Sequence, residues 1–280
     1  MVRESSVPSA LTDWLPPEPP TDLIFDDGVP LESNRHRLAM NVLIRSMLVA
    51  YRERNDFFAG GNMFIYYSRT QRMNQDFRGP DFFVTLGVDA SRERQGWVVW
   101  EEEGRYPDVI VELLSPSTES QDRGPKKEIY ERIFKTRNYF IYDPFNPSSL
   151  QGWQLDQRQT YQSLMPDERG WLWSDVLGLW LGTWRGVLDR EPPTGSCHWL
   201  RFYDAQGELV PLPEELAQRE VEQAQQQAEQ AQREAELAQQ QVEQAQREAE
   251  QAQQEAEQER LRAERLAERL RQLGVDPEAD

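Results

Sequence analysis

The chain has 280 residues, with 49 acidic against 31 basic side chains and a net charge of −18. That balance argues against tight non-specific binding to nucleic acid, but not against a small basic cleft, because net charge says little about a local field. Its single cysteine, Cys197, excludes an internal disulfide framework and a Cys-rich zinc site and points to a reducing compartment. The N-terminal segment lacks an apolar signal core, and no run approaches the ~18 uninterrupted apolar residues that span a bilayer, so the chain reads as soluble and cytoplasmic with no membrane partner.

Residues 1–21 are rich in proline and polar side chains and read as an extended arm. All nine tryptophans lie before residue 204, so the part that can build a core is 22–210. It opens with LESNRHRLAMNVLIRSMLVAYRER (31–54), where Leu38, Val42, Met47 and Leu48 recur at helical spacing and Ser33 or Asn34 stands ready to cap. Strand-like runs follow: MFIYYS (63–68), PDFFVTL (80–86), GWVVWE (96–101) and VIVELLS (109–115). The polar stretch STESQDRGP then leads into KKEIYERIFK, a short helix with Pro125 in its first turn. NYFIYDP (138–144) is a further strand, followed by short alternating segments (LQGWQLD, QTYQSLM, GWLWS) and by HWLRFYDAQGEL, which reads as a hairpin. A helix, a mixed sheet, a crossover helix and a further strand make an α/β (α+β) domain.

The tail differs in kind. Apolar residues fall at 221, 228, 235, 242, 249, 256, 263 and 270, and a second set at 217, 224, 231, 238, 245, 252, 266 and 273. The two interleave at 4-3 spacing over eight heptads, broken at Glu259, which predicts a left-handed coiled coil over 211–274 with 275–280 as a loose tail. Most seam residues are alanine, with Val221, Val242, Leu266, Leu270 and Leu273 larger, so the C-terminal end should pack more tightly. Such a rod is roughly 90 Å long at ~1.5 Å per residue. The alternative is a lone charged helix held by Glu/Arg pairs. Residues 213–280 carry 18 acids and 8 bases, against 31 and 23 before them.

One acid stands out. In VIVELLS, Ile110, Glu112 and Leu114 share a face while Val109, Val111 and Leu113 take the other, so the strand is apolar on both sides and Glu112 sits inside it. An ionised glutamate there costs several kcal/mol unless it is paired. It is either a salt-bridged or protonated structural acid, or a metal ligand. Asp108 cannot share a metal with it: four strand residues span ~13 Å, whereas two ligands of one Mg²⁺ lie ~4 Å apart. The partner should come from an adjacent strand, and Asp81, heading PDFFVTL, fits; Asp108 then reads as a strand-opening turn residue.

Metal-assisted phosphodiester hydrolysis also needs a cation against developing negative charge. The pattern PD…(D/E)xK places a lysine two residues after the second acid, but that position is Leu114. The nearest lysines are Lys126 and Lys127, at the start of the predicted helix, where the dipole disfavours cations. From there Lys126 can reach back to Glu112, and Tyr130 lies one turn on along the same helix face. His36 and His198 read as hydrogen-bonded or surface histidines, and Ser115 and Ser117 as residues that turn the chain after the strand. There is no G-x-S-x-G elbow and no phosphate-binding Gly-Lys-Ser/Thr loop.

PDFFVTLG followed by PDVIVELLSPSTESQDRGPKKEIYERIFKTRNYFIYDP resembles the Uma-type family of restriction-endonuclease-like proteins, within the PD-(D/E)XK nuclease superfamily. The resemblance covers about residues 22–205 and is carried by EL-LSPST, K-x3-Y and YDP. It implies a restriction-endonuclease-like central mixed sheet flanked by helices, with Asp81 and Glu112 as metal ligands and the lysine moved to the helix at Lys126. LESNRHR matches the family's first helix and brings in Glu32 as a further acid. The coiled coil lies outside the family core.

The expectation is a Mg²⁺- or Mn²⁺-dependent endonuclease acting on DNA. Asp81 and Glu112 hold the metal with the Leu113 carbonyl as a third ligand, Lys126 acts on the water or the phosphate, and Glu32, Lys127 and Tyr130 are auxiliary. The coiled coil is expected to make a homo-oligomer. The rival is an inactive nuclease-fold interaction module whose coil carries the function, which the acidic composition favours.

Overall fold

A computed structural model of the chain describes residues 33–68, 77–188 and 194–272, together with Leu23 and Glu191. The chain divides into two compact units, one ending at Leu216 and the other beginning at Ala217.

In the first unit, helix α1 (Asn34–Ala50) is capped by Ser33, whose side chain accepts a hydrogen bond from the His36 backbone N–H. Its buried stripe is Leu38, Ala39, Val42, Leu43 and Met47. Leu48, expected in that stripe, is 49% exposed, because one residue past Met47 turns the side chain by about 100°.

The strands are β1 (Phe57–Gly60), β2 (Ile65–Tyr66), β3 (Phe77–Arg78), β4 (Phe82–Leu86), β5 (Trp97–Val98), β6 (Val109–Leu113), β7 (Asn138–Asp143), β8 (Asn146–Leu155), β9 (Tyr161–Ser163), β10 (Leu172–Ser174), β11 (Leu179–Gly186) and β12 (Cys197–Tyr203). The central sheet has the order β1-β4-β6-β7-β8-β9. Its β6–β7 pair is parallel and its other pairs are antiparallel, so the sheet is mixed. Two smaller sheets, β10-β11-β12 and β3-β2-β5, accompany it.

The two faces of β6 separate as the sequence alternation requires. Val109, Val111 and Leu113 join a core with α1 and with Leu181, Trp199 and Phe202 of the β10–β12 sheet. Ile110 and Leu114 join the opposite core with Tyr130, Phe134, Ile65 and Trp97. All five residues of β6 are buried, so Glu112 lies in a layer with apolar packing above and below.

Several predicted elements are corrected. GWVVWE is a strand only at Trp97–Val98 and then tightens into a 3-10 turn at Val99–Glu101. MFIYYS contracts to the two-residue β2. The sequence reading missed β1 (FFAG) and β11 (LWLGTWRG), whose glycines mask the strand pattern. The expected late hairpin is reduced to one bridge, Tyr203–Leu209, beyond β12.

The largest correction concerns the crossover helix, which runs over 119–134 rather than starting at Lys126. It alternates α turns (Glu119–Gln121, Lys127–Ile129) with π turns (Asp122–Lys126, Tyr130–Phe134). Pro125 therefore lies inside the helix, in the wider π turn. A proline clashes with the carbonyl four residues back in a regular α-helix, and a π-bulge relieves such crowding. Lys126 and Lys127 are consequently mid-helix, and the dipole objection to them falls away.

The long helix, Pro213–Gln272, follows Leu212. Proline suits a first helical position, and Glu214 and Glu215 suit the positive end of the dipole. Within the first unit these two acids pair with Arg45 and with Arg201, the latter at 2.7 Å. None of the helix's 60 residues is buried. Among the described residues no helix is long and apolar enough to cross a membrane.

Candidate active site

Strand pairing brings the first two predicted residues together. β4 runs antiparallel to β6 with Phe82 opposite Val111, which puts Asp81, one residue before β4, level with Glu112. The Leu113 backbone N–H donates to Asp81 Oδ2 at 2.7 Å, and the Asp81 N–H lies 3.4 Å from Glu112 Oε2. Gly61 fixes the approach: a Cβ there would collide with the Asp81 carbonyl oxygen, while the neighbouring Asn62 N–H binds the Pro80 carbonyl at 3.0 Å.

The crossover helix supplies the rest. Lys126 Nζ lies 3.2 Å from Glu112 Oε2 and 2.7 Å from Asp122 Oδ1. Tyr130, one turn on, donates its hydroxyl to Glu112 Oε1 at 2.7 Å. Glu112 thus holds an ammonium on one oxygen and a phenol on the other, with no exposed surface of its own.

Burial dominates the electrostatics. It pushes the Glu112 carboxyl up to about 7; Lys126 pulls it back, Asp81 adds to the rise and the Tyr130 hydroxyl opposes it. Burial likewise raises Asp81 to about 6, opposed by the Leu113 N–H and then by Lys126. Asp122 also rises to about 6, from burial and then from the charge of Glu112. Burial pulls the Lys126 ammonium down, but Glu112 and Asp122 outweigh it and the group stays charged. Three acids share one ammonium, so the cluster is deficient in positive charge.

The other predicted residues fall elsewhere. Lys127 points away, with Nζ 3.9 Å above the Trp153 ring. Glu32 lies outside the described residues. Leu113 meets the site through its N–H to Asp81. Asp108 accepts from the Leu86 N–H at 2.8 Å at the far end of β6, as a strand-opening residue should. His36 is buried, with one ring nitrogen 2.7 Å from Ser33 Oγ and the other 3.1 Å from the Leu114 carbonyl; the His198 carbonyl accepts from Arg35. Ser115 and Ser117 bond to each other at 2.9 Å in the turn after β6.

Sequence reasoning missed Asp122 and Tyr139. Asp122 is 1% exposed, and the Tyr139 hydroxyl donates to its carbonyl at 2.8 Å. The available signal was the i, i+4 spacing of Asp122 and Lys126, hidden because the segment before Pro125 read as a loop. Among the described residues no set of three or more His, Cys, Asp or Glu side chains gathers as a ready metal cage.

A family model described as "Uma2: Putative restriction endonuclease" matches residues 12–188. Among solved structures, the chain is similar to one titled "putative nuclease belonging to DUF820" from Anabaena variabilis, at 16% identity, covering 53% of this chain and 76% of that one, with a TM-score of 0.38. No curated protein matches the chain.

Proposed function

The chain belongs to the Uma2 family, and on that premise we propose that it is a divalent-metal-dependent endonuclease that hydrolyses DNA phosphodiester bonds in a reducing, cytoplasmic setting. The observation that carries the reading is the meeting of Asp81, Glu112 and Lys126 across two strands and a helix, with both carboxyls driven up by burial. Buried acids outnumbering their one cation fit a hard cation, which lowers the charge they are asked to bury. Mg²⁺ is commonly held by one or two carboxylates, with waters and substrate phosphates completing its shell, so it does not need a three-acid cage, and none gathers among the described residues. Asp81 and Glu112 would hold the ion, which when bound makes water a stronger nucleophile and draws charge from the phosphate.

The chain's own residues do the rest. Lys126 is kept charged by its acid partners, so it acts as a cation rather than as a base, stabilising the negative charge that builds on the phosphate as water adds to phosphorus and the P–O bond to the leaving oxygen breaks. Tyr130 fixes one oxygen of Glu112 and leaves the other for the site. The long helix supports pairing with a second copy through its heptad seam, and two copies suit cutting two strands.

The test is plasmid nicking with Mg²⁺ or Mn²⁺. The wild type should relax supercoiled DNA, and Glu112→Gln should be slower by about 10²-fold or more. Equal rates overturn the assignment. A second reading, an inactive module that assembles through its long helix, is favoured by the net charge of −18. It predicts no Mn²⁺ binding that depends on Asp81 and Glu112 in calorimetry.

A further inference from the structure

Asp122 has no place in the two-carboxylate reading, yet it is as deeply buried as Glu112. It is 1% exposed, and beside the ammonium of Lys126 its carboxylate has only the Thr118 side chain to help hold it, without good hydrogen-bond alignment. Its contact is ionic, with Lys126 Nζ at 2.7 Å, closer than the 3.2 Å from that nitrogen to Glu112. A buried carboxylate that leans chiefly on one ammonium is expensive to keep, so its persistence asks for a purpose.

The backbone is built to put it there. The π turn begins at Asp122 and ends at Lys126, and the buried Tyr139 hydroxyl pins the Asp122 carbonyl at 2.8 Å. Of the 31 basic side chains only three are lysines, Lys126, Lys127 and Lys135. A chain that mostly uses arginine places at this point a compact ammonium that two carboxylates can share, where a planar guanidinium would demand a fork geometry.

We propose that Asp122 is the positioning residue of Lys126: it anchors the ammonium independently of Glu112, so the lysine stays in the site when Glu112 is engaged by a cation. Its purpose rests on the reading of Asp81 and Glu112 as a cation site; its geometry does not. A lysine tied to Glu112 alone would lose its partner on metal binding and swing toward solvent, to which it is already 22% exposed.

With three lysines, the chain suits residue-resolved labelling. The full-length protein is pulsed with an acylating amine reagent, and each lysine is quantified by mass spectrometry. In the wild type Lys126 should react slowly beside the exposed Lys135. Asp122→Asn should speed Lys126 by about tenfold, toward the rate of Lys135, because the freed side chain swings into solvent. Glu112→Gln should speed it less, and Asp122→Glu should restore protection. The rate at Lys127, whose ammonium lies over the Trp153 ring, and the far-UV circular dichroism report whether each variant is folded, with Lys135 as the exposed reference. The wild type with saturating Mn²⁺ requires no variant: Lys126 stays protected if Asp122 holds it and becomes reactive if Glu112 does. An unchanged Lys126 rate in Asp122→Asn, a larger release in Glu112→Gln, or release by Mn²⁺ overturns the proposal. Failure of the wild type to nick DNA would overturn the nuclease reading and leave the labelling result standing.

Discussion

The two units of the chain use acidic residues in opposite ways. In the long helix none of the residues is buried, and beyond Leu216 several of its glutamates pair with glutamine or arginine one turn away, as in Gln230–Glu234 and Arg233–Glu229. Each such pair contributes only about 0.2–0.5 kcal/mol. In the first unit Glu112 and Asp122 sit inside an aromatic core, and with Asp81 they are held well above ordinary carboxylate values. The same chemical group is a solvated, ionised surface in one unit and a buried acid held toward its protonated form in the other, and burial makes the difference. In a chain this acidic, the acids to test first are those whose placement is energetically costly.

Exchanging acids between the two settings gives the largest effect. Asp81→Asn should cut plasmid nicking by about 10²-fold or more, whereas Glu250→Gln on the exposed long helix should leave it unchanged in the same assay. Next is stability. Lys126→Met strips the buried acids of their cation and should cost about 3 kcal/mol in urea unfolding near neutral pH without metal, while Arg233→Met, on the helix surface, should cost no more than about 0.5 kcal/mol.

pH should separate the units as well. Because the folded-state values of Asp81 and Glu112 are raised to about 6 and about 7, the fold favours their protonated forms. Their stabilising contribution is full below the unfolded values near ~4 and is lost as pH rises toward 7. Lys126, also raised, contributes in the same direction, its stabilisation being lost only at alkaline pH. The melting temperature of the metal-free first unit should therefore fall between about pH 4 and 7, and added Mn²⁺ should flatten that slope. A chain ending at Leu216, which keeps Glu214 and Glu215 with their arginines, should melt as the full chain does but sediment as a smaller species if the heptad seam pairs two copies. Within the first unit the smallest effect is expected at Asp108→Asn, about 1 kcal/mol for one hydrogen bond and no change in nicking.

Much of this was legible in the sequence, because local patterns reflect local physics. Alternation along VIVELLS placed Glu112 in a doubly covered strand, the reach of a strand excluded Asp108 as its partner, and the heptads marked the long helix whose bounds are Pro213–Gln272. These readings depend only on residue spacing and burial preference. The crossover helix lay beyond that reach. Little that is local announces that a helix will run through Pro125, because the widened turn that accommodates it is stabilised by distant partners: the Tyr139 hydroxyl on the Asp122 carbonyl and Glu112 on Lys126. Tertiary packing also decided that Lys126 faces the acids while Lys127 turns to Trp153. Adjacent residues on a helix diverge by about 100°, and which of the two turns inward is set by what the sheet offers beneath them.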